Sequence, residues 1–99
     1  MADNVHQTYG SVTAAGVTQS QLRARIVAGL AQVRAMEEQD LWNEIVQAGG
    51  DCQMDSKETE VVISILEHEF DRELAKVEDL EPEQMTTLSA VTNLIMARL

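Results

Sequence analysis

Three separate stretches of this chain place apolar side chains three or four residues apart, and that spacing is the strongest constraint on its fold. Leu22, Ile26, Leu30 and Val33 form the first stretch, and Val62, Leu66 and Phe70 the second. Leu88, Val91 and Ile95, with Leu94 beside them, form the third. Each spacing marks one face of an α-helix. Aromatic residues make up only 3% of the chain, so a core built from these faces is aliphatic. Ninety-nine residues allow one domain with a modest core. The expectation is an all-α fold, a small antiparallel four-helix bundle with three longer helices and one short.

The helix starts carry their own signals. Thr18 and Gln21 stand three residues apart, as the partners of a capping box do. Arg23, Arg25 and Arg34 then fall on the solvated side of the first helix. An acidic break over residues 36–40 is followed by Leu41, Trp42, Ile45 and Val46, enough for a helical turn or two, with Trp42 packed over the bundle. Gly49-Gly50 ends that segment. Asp55 is a good N-cap for the second apolar stretch, because its carboxylate can accept a free N–H of the first turn, and Glu58 is placed to reach back. On that helix Lys57, Glu60, Val61, Ser64, Glu67, His68 and Asp71 are predicted to face outward. Pro82 suits the first turn of a short helix, and Thr86 or Thr87 can cap the last one. Residues 1–17 lack apolar periodicity and read as a disordered tail, His6 included, which leaves residues 18–99 as the folded domain.

Charge narrows the function. The net charge is −10, with a pI of about 4.4. Binding to nucleic acid phosphates or to an anionic membrane needs the opposite sign, so neither is expected. A basic protein surface is the natural partner. Cys52 is the only cysteine, so no internal disulfide forms, in keeping with a cytoplasmic setting. No signal-peptide pattern and no membrane-length apolar run is present. Asp51, Gln53 and Asp55 alternate like calcium ligands, yet Ser56 and Val62 stand where such a loop needs glycine and glutamate. Cys52 and His68 are two potential ligands without a third. No catalytic set of nucleophile and base is apparent, so no enzymatic activity is expected.

Ser56 has a setting of its own. It falls on the first helical position, directly after the cap, where free N–H groups and the helix dipole favour a phosphate. Met54-Asp55-Ser56, followed by Val62, Ile63, Leu66, Glu67, Glu69, Phe70, Asp71 and Leu74, resembles the signature of the acyl and peptidyl carrier proteins. The resemblance continues through Thr86-Thr87-Leu88 and the final helix. It implies a stand-alone carrier whose Ser56 is esterified with 4′-phosphopantetheine and whose arm holds acyl or aminoacyl thioesters. It further implies a phosphopantetheinyl transferase as modifying partner. Ketosynthase, acyltransferase, or adenylating and condensing enzymes would then be the users of a monomeric carrier. The chain departs from the family's usual pattern at Lys57 and Glu60, where apolar residues are common. That points to a dedicated biosynthetic pathway. The alternative expectation is a non-catalytic acidic adaptor that binds a basic protein partner.

Overall fold

The computed structural model describes residues 16–99. Among these, the fold is all-helical, a small bundle of four α-helices: α1 (Gln19–Arg34), α2 (Glu38–Gln47), α3 (Ser56–Phe70) and α4 (Leu88–Met96). The expectation for the tail lies outside the described residues up to residue 15. Its last member, Val17, is buried and belongs to the core.

The centre of the bundle is α1, which packs against α2, α3 and α4. Its capping box is complete: the Thr18 hydroxyl accepts the Gln21 N–H at 3.1 Å, and the Gln21 side-chain Oε1 accepts the Thr18 N–H at 2.9 Å. Leu22, Ile26, Val27, Leu30 and Ala31 are buried along it. Gly29 is buried too, and faces α3: a methyl group there would stand 3.6 Å from Ile65 Cδ1 and 3.8 Å from Val62 Cγ2. Helices α1 and α3 therefore lie close together without requiring the glycine.

Helix α2 buries only Leu41 and Ile45, and Trp42 packs half-buried against the core. Val46, expected among its apolar contacts, is 72% exposed. A short helix that docks on α1 has a narrow buried stripe, and Val46 falls off its edge. Glu38 and Asp40 enter the first turn, where negative charge is favourable, so the acidic break is partly helix. The chain then reverses through Gly49 and Gly50, at φ 89° and 99°, a region glycine occupies at little cost.

Helix α3 buries Thr59, Val62, Ile63 and Leu66, with Phe70 at the edge of the core. It ends where Asp71 turns left-handed at φ 53°. The connection to α4 is anchored by buried Leu74 and Leu80. The short helix expected at Pro82 is a single 3-10 turn, Pro82–Gln84, preceded by another at Val77–Asp79. The fourth α-helix is α2. Past the turn, Thr87 pairs with Gln53 in an isolated antiparallel bridge, and its hydroxyl caps α4 by accepting the Ala90 N–H at 3.1 Å.

Candidate functional site

The stretch from Asp51 to Met54 leads into Ser56 and is pinned from both sides. On the α4 side, Met54 N–H donates to the Thr86 carbonyl and Leu88 N–H to the Cys52 carbonyl, each at 2.9 Å. One oxygen of Asp51 accepts both the Cys52 and the Ser89 N–H, also at 2.9 Å. Burial pushes the Asp51 carboxyl up, but these backbone bonds outweigh it and hold the group below its ordinary value. On the α1 side, the Arg23 guanidinium donates to the Gly50 carbonyl, and Arg34 to the Gln53 carbonyl at 2.8 Å. Met54 is buried, which sets the level at which the chain enters α3.

The start of α3 is capped as expected. Asp55 Oδ1 accepts the Glu58 N–H at 2.7 Å, and Glu58 Oε1 accepts the Asp55 N–H at 3.0 Å. Glu58 is also gripped by Arg34: Nε donates to Oε2 at 2.7 Å and Nη2 to Oε1 at 3.1 Å. That hydrogen bond is the main reason the Glu58 carboxyl lies below its ordinary value, and the same bond raises Arg34. Ser56 occupies the first helical position and is exposed. The Glu58 N–H is taken by Asp55 Oδ1 and the Thr59 N–H by the Asp55 carbonyl. The N–H groups of Ser56 and Lys57 have no intrahelical acceptor, as the first groups of any helix. Ser56 is exposed beside these two N–H groups, a setting whose local field favours negative charge.

Several outward residues behave differently from the sequence reading. Arg34 is not merely solvated; it joins α1 to the loop and to α3. Arg23 holds the glycine turn, and Arg25 pairs with Glu69 at the surface at 2.9 Å. Glu67 is not free to face a partner, because its Oε2 accepts the Leu74 N–H at 2.8 Å and the Ala75 N–H at 3.4 Å. Asp71 is exposed as the left-handed end of α3, and Glu60 and Lys57 are exposed near its start. Val61, predicted outward, is half-buried. Cys52 is half-buried, and burial pushes its thiol up, away from the reactive thiolate. Among the described residues no group of three or more His, Cys, Asp or Glu side chains could hold a metal ion. No helix described is long and apolar enough to cross a membrane.

Arg34 is the site-supporting residue that spacing could not reveal, because Glu58 lies 24 residues away along the chain. The role of Glu67, which holds the far end of α3 to Leu74 seven residues on, is equally hidden. No protein-family model, curated protein or solved structure matches this chain.

Proposed function

We propose that this chain is a carrier protein whose Ser56 takes a 4′-phosphopantetheine arm and presents acyl or aminoacyl thioesters to partner enzymes. One observation carries the reading: Ser56 is exposed at the first position of a capped helix, directly after a loop held from α1 and α4. Fixed surroundings and an open hydroxyl are what a modifying enzyme needs to orient its substrate.

In the modification, the Ser56 hydroxyl gives up its proton and takes the phosphopantetheinyl group from coenzyme A, with the nucleotide bisphosphate leaving. The arm supplies a terminal thiol for thioester chemistry. The chain's own residues do the rest. Asp55 and Glu58 keep the helix start formed, and the first-turn N–H groups favour the phosphodiester charge. Exposed Glu60 and Asp71 give basic enzyme surfaces something to meet, an attraction that weakens in salt. Lys57 and Glu60 replace the apolar contact that generic partners use, which supports enzymes of a dedicated biosynthetic pathway as partners. In this reading the serine hydroxyl is the reacting group, and the role of the chain is that of substrate and scaffold.

The test is the intact mass after incubation with coenzyme A, magnesium and a broad-specificity phosphopantetheinyl transferase. One phosphopantetheine is added, peptide mapping places it on Ser56, and Ser56→Ala takes none while remaining folded. No adduct with several transferases, or an adduct on another serine, overturns the reading and leaves the acidic adaptor as the alternative.

A further inference from the structure

We propose that Arg34 is the positioning residue of this site, acting through Glu58 and the Gln53 carbonyl to hold Ser56 in the geometry a modifying enzyme recognises. The inference rests on the carrier reading and adds to it a residue from a different helix. One guanidinium, at the last turn of α1, makes three bonds. Two go to the two oxygens of Glu58, at 2.7 and 3.1 Å, and one goes to the backbone of Gln53 at 2.8 Å. These partners lie on either side of Met54-Asp55, the two residues that deliver the chain to Ser56. The clamp therefore fixes the loop and the helix start relative to one another as well as to the bundle.

Glu58 is the joint of this arrangement. Its Oε1 accepts from Asp55 N–H and from Arg34 Nη2 together, so the rotamer that closes the capping box is the rotamer Arg34 selects. The pair is shielded: the side chains are 26% and 17% exposed. A planar fork matches a carboxylate at two points and can reach a carbonyl as well, which a lysine ammonium does not. Without the fork, the capping box remains possible but is populated among other loop arrangements. A partner that binds one arrangement then sees a reduced effective affinity, in proportion to the fraction that remains competent. Turnover of the bound complex is unaffected, because binding selects the same geometry.

The experiment compares wild type with Arg34→Met, Arg34→Lys, Glu58→Gln and the double variant Arg34→Met/Glu58→Gln. The readouts are transferase kinetics with coenzyme A and amide exchange at Asp55 and Glu58. Arg34→Met raises KM by roughly three- to tenfold with kcat within about twofold, and exchange at both amides accelerates. Arg34→Lys behaves like Arg34→Met. In the Glu58→Gln background, where the box can still form but the ion pair cannot, Arg34→Met has a smaller effect on a logarithmic scale, and what remains comes from its bond to the Gln53 carbonyl. An unchanged KM with unchanged exchange overturns the proposal. So does an Arg34→Lys variant equal to wild type, which would make charge alone the cause, or an undiminished effect in the Glu58→Gln background. If wild type takes no adduct at all, the carrier reading falls, and amide exchange still decides whether Arg34 orders the junction.

Discussion

The hydroxyl of Thr59, fully buried in α3, donates to the Met85 carbonyl at 3.0 Å and so joins the first turns of α3 to the segment that leads into α4. Valine has the same shape without the donor. Thr59→Val is expected to cost about 1–3 kcal/mol, because a part-buried carbonyl loses its bond. In a domain of this size that lowers the melting temperature by several degrees. Thr59→Ser keeps the donor and loses a methyl, so it should fall between the two. Thermal melts of the three proteins check this; equal melting temperatures for wild type and Thr59→Val would show that the bond contributes nothing.

Gly29 lies mid-helix in α1, where glycine has a conformational cost of about 0.5–1 kcal/mol relative to alanine. The nearest atoms to an added methyl stand 3.6 and 3.8 Å away, which is ordinary contact. Gly29→Ala should therefore stabilise the bundle by up to about 1 kcal/mol. The check is the urea midpoint at constant slope. A lower midpoint would mean that α1 and α3 must approach more closely than 3.6 Å contact allows.

Two carboxyls predict the response to acid. Glu58 lies below its ordinary 4.5 because of its bond to Arg34, and Asp51 lies below 3.8 despite burial because of backbone bonds from Ser89 and Cys52. A carboxyl depressed in the folded state adds stability that is present above its ordinary value and lost as pH falls through the folded one. Stability should thus hold from neutral pH down to the ordinary carboxylate range and decline below it. Glu58→Gln should be less stable at pH 7 and should lose less on acidification. Urea titrations at a series of pH values test this, and parallel curves for the two proteins would remove Glu58 from the account.

Lys57 is exposed directly after Ser56, with Glu60 exposed one turn further on. A partner shaped for an apolar residue at that point must desolvate an ammonium, at about 1–3 kcal/mol if it stays without a counter-charge. That corresponds to roughly ten- to a hundredfold in rate. On the proposed carrier reading, Lys57→Leu should therefore speed transfer from a loaded arm to a generic fatty-acid ketosynthase and slow it with a dedicated partner. Equal changes with both enzymes would leave Lys57 as an ordinary solvated side chain.

What could be read from the residues and what could not divide along a physical line. The capping boxes at Thr18 and Asp55 involve groups three residues apart, so their chemistry is already present in the local sequence. The buried faces of α1, α3 and α4 follow from helical spacing for the same reason, except at Val33, which is only half-buried near the end of α1. Val46 misled because its spacing is right while α2 has only a narrow contact with α1; what decides is the number of neighbours, which no local pattern encodes. Glu67 reads as a surface carboxylate until the left-handed Asp71 folds Leu74 and Ala75 back over it. Arg34 reads as an outer charge until Glu58, 24 residues on, is brought to it by the packing of α1 on α3.

The bridge between Gln53 and Thr87 bears on the order in which the protein is made. The ribosome delivers the whole Met54-Asp55-Ser56 motif and α3 well before it delivers Thr86, Leu88 and Ser89, on which the Met54 amide, the Cys52 carbonyl and the Asp51 carboxylate depend. A nascent chain that has not yet released α4 holds the serine and its cap but has only the α1 side to steady the approach to it. Arrival of α4 thus finishes the serine's surroundings, and a chain truncated before residue 86 would present the right letters in an unfinished setting.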